Sequence, residues 1–136
     1  MINHFGIAVK DCMRSKKFYD AALKPLGYKI HRTGTRETGY TDGISQDPFG
    51  DFCFFEGEPY PFHYAFEVKS NEAVDEFYKE AIENGGVDNG APGYRKDYHE
   101  NYYAAFIIDP DGYRIEAVCH NGQEHGLDRN FLTEIK

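Results

Sequence analysis

The chain has no tryptophan and only three cysteines in 136 residues. Cys12, Cys53 and Cys119 form an odd, widely spaced set without a Cys-x-x-Cys, which reads as reduced thiols in a cytoplasmic protein. A cysteine nucleophile is unsupported: Cys53 and Cys119 are expected on helix-facing sides of strands, and Cys12 has no histidine near it in sequence. No stretch approaches the roughly 20 apolar residues of a membrane span, and Met1-Ile2-Asn3-His4 lacks the basic-then-apolar order of a signal peptide. Basic residues are in deficit, 15 against 23 acidic, for a net charge of −8. That excludes nucleic acid and anionic membranes as expected partners, since both need basic patches. A glycine-rich phosphate loop is also missing, because Gly85-Gly86 and Asp111-Gly112 are turn signals.

What is present is aromatic. Phe and Tyr make up 16% of the chain, favouring β structure and an aromatic-walled cavity for a small molecule. The length is that of one domain, 1–136, able to bury a core. Its most informative stretch is Asp109-Pro110-Asp111-Gly112 followed by Tyr113 to Cys119. The first four residues make a tight turn. Beyond it, Tyr113, Ile115, Ala117 and Cys119 alternate with Arg114, Glu116 and Val118. The result is a hairpin with a carboxylate, Glu116, in the middle of an apolar strand, where it requires a partner.

The chain repeats itself. Segment 3–9 reads as a strand, a helix starting at Ser15 carries Phe18, Tyr19, Ala22, Leu23 and Leu26 on one stripe, and Gly27 ends it. Segments 28–32, 37–44 and 52–56 read as strands. Segment 62–68 is a strand again, and Ser70 or Asn71 caps a helix with Val74, Phe77, Tyr78, Ala81 and Ile82 inward. Sliding the sequence by 59 positions, the separation of His4 and His63, also lays Phe18 on Phe77, Tyr19 on Tyr78 and Gly27 on Gly86. After three more positions, Asp47-Pro48-Phe49-Gly50 meets Asp109-Pro110-Asp111-Gly112. Two copies of so long a unit describe a duplicated module, not a solenoid. The expected fold is α+β, with two tandem βαβββ modules (1–57 and 61–120) forming a curved mixed sheet around a cleft, helices outside. A tail, 121–136, lies beyond the repeat. His120 and His125 in and beside it are expected at the surface.

The strand parity points His4, His63 and Glu116 into the cleft. Two imidazoles and a carboxylate are a ligand set for a divalent transition metal (Zn, Ni, Mn, Co or Fe) that leaves positions open for water and substrate oxygens.

The paired module, with His in the first strand of each half and Asp-Pro-Asp-Gly-x-x-x-Glu in the last hairpin, resembles the vicinal-oxygen-chelate superfamily. This superfamily includes glyoxalase I, fosfomycin-resistance thiol transferases, extradiol dioxygenases, methylmalonyl-CoA epimerase and bleomycin-resistance proteins. The resemblance covers residues 2 to 120 and extends to a glyoxalase-like subgroup without an assigned substrate. It implies metal ligands at His4, His63 and Glu116, with modules paired within a chain or across a homodimer. The implied activity is that of a metal-dependent lyase, isomerase, thiol transferase or dioxygenase. The small substrate, a glutathione adduct or an oxygenated aromatic, would chelate the metal. The alternative is non-catalytic sequestration, as in bleomycin-resistance proteins. Glyoxalase I-like members carry a second carboxylate in the first module. Counting from the turns, that position is Phe54, expected as a substrate contact, with Glu56 two residues on as a possible fourth ligand.

Segment 90–103 is the most chemically crowded. Its glycines and Pro92 read as a loop followed by a strand at the cleft mouth. His99 and Tyr98 are the candidate proton carriers, and Arg95 and Tyr103 the candidate substrate contacts. Arg114, on the Glu116 face, would hold an anionic group or pair with Glu116.

Overall fold

The computed structural model describes residues 2–122. Strand β1 (Phe5–Val9) leads into helix α1 (Cys12–Leu23), a 3-10 turn over Lys24–Leu26, and strands β2 (Lys29–Thr33), β3 (Glu37–Thr41) and β4 (Phe52–Glu56). The second module repeats the order with β5 (His63–Glu67), α2 (Asn71–Glu83), β6 (Val87–Tyr94), β7 (Tyr103–Ile108) and β8 (Arg114–Cys119). The fold is α+β with two tandem βαβββ modules. Each makes a four-stranded sheet, ordered β1-β4-β3-β2 and β5-β8-β7-β6. The β1–β4 and β5–β8 pairs are parallel and the others antiparallel. No strand pair joins the two sheets among the described residues, so the curved surface is built from two separate halves.

Local chemistry sets the helix ends. Asp11 caps α1 by accepting from the Met13 and Arg14 N–H groups, so the helix begins at Cys12 and not at Ser15. The Ser70 hydroxyl caps α2 by accepting from Ala73 N–H at 3.1 Å. Such a cap contributes about 1 kcal/mol. Gly27 closes the 3-10 turn at φ 88°, a conformation that costs a side-chain-bearing residue strain.

Residues 90–94, expected as loop, belong to the edge strand β6. Its register slips between Asp88 and Gly90 and again between Gly90 and Gly93. Bulges at an edge let Pro92 and two glycines stay in a strand that donates few ladder bonds.

The apolar parity holds in β1, β5 and β8. Ile7, Val9, Phe52, Phe66, Val68 and Ile115 lie in one buried cluster with the inward faces of α1 and α2. That single core spans both modules, and the two helices pack against each other. The central hairpin is tied into it by Asp109, 3% exposed. Its carboxylate accepts from the Tyr19 hydroxyl at 2.5 Å and from the Asp111 and Tyr113 N–H groups at 2.8 and 2.9 Å. Arg14 pairs with Asp111 at 2.8 Å, and the Tyr113 hydroxyl donates to the Ala8 carbonyl. The sheet faces turned away from the helices remain accessible, with Phe55 and His63 exposed there.

Parity differs from expectation at Cys53. It pairs with Gly6 on the face away from the helices, where a Cβ on Gly6 would lie 2.9 Å from its sulfur. Phe52 and Phe54 take the core face instead.

Candidate functional site

The accessible face of the second module carries a cavity of about 560 Å³, with His63, Tyr102, Phe106, Arg114 and Glu116 in its walls. Glu116 lies mid-strand in β8, between Ala65 of β5 and Phe106 of β7. Alternation puts Arg114 on the same face, and Arg114 pairs in register with His63. Glu116 is 3% exposed, so its charge needs partners. The Tyr102 hydroxyl donates to Glu116 Oε2, and His63 Nε2 stands 3.3 Å from Oε1. Burial, together with the carboxylate it serves, holds the Tyr102 phenol well above its ordinary pKa, so it remains a donor.

The His63 ring has a defined tautomer. Its Nδ1 lies 3.2 Å from the Arg114 carbonyl oxygen, which can only accept, so Nδ1 carries the hydrogen. In the neutral ring the Nε2 lone pair then faces a carboxylate oxygen at 3.3 Å. Two acceptors at that separation call for a cation between them, either a proton or a metal ion. A backbone carbonyl fixing the tautomer of an imidazole is the usual support of a metal-ligating histidine. The donor types therefore fit a divalent ion.

Tyr102 is held by a cage of rings. Tyr98, His99 and His120 meet it nearly edge-on, with centroids at 4.9, 5.3 and 5.3 Å. His99 Nδ1 accepts from the Asn101 N–H, so Nε2 carries hydrogen and donates to His120 Nδ1 at 2.8 Å. His120 Nε2 in turn lies 3.5 Å from Glu67 Oε1. Burial, and then the neighbouring His120, push the His99 pKa below its ordinary 6.5.

The sequence candidates separate as follows. His63, Glu116, Arg114 and Tyr98 line the cavity. His99 stands behind Tyr102, and Arg95 places its guanidinium over the Phe106 ring, 5.3 Å from the centroid, while donating to the Ala91 carbonyl. His4 lies apart, with Nδ1 2.7 Å from Asn3 Oδ1 and 3.1 Å from Asp47 Oδ2. Among the described residues no group of three or more His, Cys, Asp or Glu could hold a metal ion, so one chain brings together two of the three expected ligands. Phe54 is fully buried against Tyr19 and Tyr40 in the helix-packed core, not in this cavity. Tyr103 points the other way from Glu116, donating to Asp75 at 2.6 Å and meeting the Tyr94 ring edge-on. Glu56 pairs with Arg36 at 2.6 Å at the far end of β4.

Tyr102 and His120 were missed as site residues although parity carried the signal. In β7 the even positions, with Phe106, share the face of Glu116, and Tyr102 continues that series. His120 continues the series of Arg114, Glu116 and Val118. His125 and nearly all of the 121–136 tail lie outside the described residues.

The model of the Glyoxalase/Bleomycin resistance protein/Dioxygenase superfamily matches residues 1–117. The chain belongs to that superfamily. A glyoxalase/bleomycin resistance protein from Albidiferax ferrireducens T118 is 30% identical, with a TM-score of 0.70 over 86% of this chain and 96% of its own. A glyoxalase/bleomycin resistance protein/dioxygenase family enzyme from Burkholderia phytofirmans PsJN is 20% identical, with a TM-score of 0.63 over 87% and 97%. The fosfomycin resistance protein FosX from Mesorhizobium loti is 15% identical, with a TM-score of 0.63 over 88% and 91%. The last two share the fold alone. No curated protein matches the chain. As a superfamily member it places its cavity on the accessible sheet face, and no helix among the described residues is long and apolar enough to cross a membrane.

Proposed function

We propose that this superfamily member is a metal-dependent enzyme acting on a small molecule, working as a homodimer. His63 and Glu116 of one chain would hold the ion together with His4 of a second copy. The observation that carries the reading is the His63 Nε2 lone pair facing Glu116 Oε1 at 3.3 Å. His4 is suited to the same task, because its Nδ1 is engaged by Asn3 and Asp47 and its Nε2 is left available. A bound divalent ion would polarise two neighbouring oxygens of a substrate, the chemistry common to lyase, isomerase, transferase and dioxygenase reactions. Tyr102 fixes the second oxygen of Glu116, so only Oε1 is free to turn toward the ion. Tyr98, exposed on the cavity wall with its ring centroid 4.9 Å from that of Tyr102, can carry a proton to or from a bound molecule.

Complementation between subunits tests the reading. His4→Ala and Glu116→Ala homodimers, each purified without chelator or affinity tag, should contain no stoichiometric metal. Unfolding and refolding them together makes heterodimers with one intact site, so metal should return in the mixture by elemental analysis. Metal in either parent removes that residue from the centre. Failure of the mixture to regain metal means the ligands do not come from two chains.

A second reading, sequestration without turnover, draws on the same carboxylate. With a protonated His63, Glu116 is fully satisfied by His63 and Tyr102, and the cavity has a complete polar floor of its own. Ligand binding without metal uptake would favour it.

A further inference from the structure

The cavity wall carries a cation, the Arg114 guanidinium, with no carboxylate partner among the described residues. The obvious partner, Glu116, is two residues away on the same face, yet its oxygens go to His63 and Tyr102. Three other described arginines pair with carboxylates, Arg14 with Asp111, Arg32 with Glu37 and Arg36 with Glu56, while Arg95 donates to the Ala91 carbonyl. Acidic residues outnumber basic ones, 23 to 15, so the exposed guanidinium of Arg114 does not lack a pair for want of carboxylates in the chain. Around it stand groups that donate, the Asn89 amide and the Tyr98 hydroxyl, and an apolar wall, Phe106. Among the described residues Glu116 is the only carboxylate lining the cavity, and it is engaged by His63 and Tyr102.

We propose that the ligand of this cavity is a small organic oxyanion of the carboxylate class, held by the fork of Arg114 with its carbon body against Phe106. The guanidinium offers two parallel N–H donors, which match the two oxygens of a carboxylate and have no equivalent use for a neutral hydroxyl. Arg95 covers part of the Phe106 ring, 5.3 Å from its centroid, and adds positive potential at the same wall. Arg114 is thus a specificity-determining residue. It selects the charge of the ligand, while the other polar groups of the cavity, His63, Asn89 and Tyr98, face the rest of it. The inference rests on reading this cavity as the binding site, but not on a metal being present.

The test compares two flat probes of similar size, 2-hydroxybenzoate and catechol, by calorimetric titration of chelator-stripped and metal-loaded protein. Both present neighbouring oxygens, and only the first is an anion at neutral pH. The wild-type protein should prefer 2-hydroxybenzoate in both states. Arg114→Gln should weaken that probe about tenfold or more, the range of a charge-assisted hydrogen bond, and leave catechol little changed. Arg114→Lys should restore part of the loss, keeping the charge without the fork. Equal loss for both probes, no loss in Arg114→Gln, or binding of neither probe by the wild type would overturn the proposal. Anion preference in a protein that takes up no metal would sink the metal centre and leave this inference standing. Metal uptake without anion preference would do the reverse.

Discussion

Cys53 stands in the first module where Glu116 stands in the second. In β4 it pairs with Gly6, as Glu116 in β8 pairs with Ala65, and Gly6 and Ala65 are equivalent under the 59-residue repeat. The turn after Gly50 reaches this position one residue sooner than the turn after Gly112. The duplication therefore places a carboxylate at only one of these two equivalent positions, and the two halves are chemically unequal. The second module holds the polar cavity. The first offers Cys53 beside Phe49 and Phe55 in a narrow groove edged by the Arg32–Glu37 ion pair.

Tyr102 should be worth measurable stability. Tyr102→Phe leaves Glu116 Oε2 without its donor in a buried position, a loss of about 1–3 kcal/mol, reduced where water can reach the oxygen. Urea denaturation of the variant beside wild type measures it. An unchanged midpoint would mean that solvent already serves Glu116.

Asp109 makes stability depend on pH in a stated direction. Burial raises its pKa above the ordinary carboxylate value, against the hydrogen bonds from Tyr19, Tyr113 and Asp111. A raised value favours the protonated form in the folded state. The contribution is fully present below the ordinary value near 4 and is lost as pH rises through the raised one. Asp109→Asn cannot ionise, so its stability relative to wild type should increase between about pH 4 and pH 7. Denaturation midpoints at the two ends check this, and a difference that stays constant would contradict it.

His99 should titrate below 6.5, because burial and His120 both oppose its charge. A depressed imidazole contributes stability present above its unfolded value and lost as pH falls through the folded one. The ring cage around Tyr102 is therefore expected to loosen on mild acidification. Proton NMR of the His99 ring reads the midpoint, which should rise in His120→Ala. No movement in that variant would detach His99 from His120.

Phe66 tests the strand parity on which the site assignment depends. It is 5% exposed and packs on Tyr28, Phe52 and Tyr64. Phe66→Ala should cost about 3–5 kcal/mol. Thermal and urea unfolding report it, and a loss below about 1 kcal/mol would place Phe66 outside the core.

The sequence by itself determined what depends on short-range order. Alternation, helical stripes, capping residues and turns are local, and the 59-residue repeat needs only comparison of the chain with itself. These sufficed for the two modules, for the faces of β5 and β8, and so for the meeting of His63 and Glu116, which sit on adjacent strands of one sheet. Where counting crossed a turn it failed: one residue less after Gly50 moved Phe54 into the core and Cys53 out of it, because a period of two turns any slip into a change of face. The edge strand β6 was hidden because bulges make glycine and proline compatible with a strand in a way composition does not show. Only the tertiary structure decided that His4 stands apart from His63 within one chain, that Tyr102 and not Tyr103 serves Glu116, and that Arg114 has no carboxylate partner among the described residues. Each depends on how separate strands and loops are set against one another in space, and that placement comes from packing of the whole core, which no local pattern encodes.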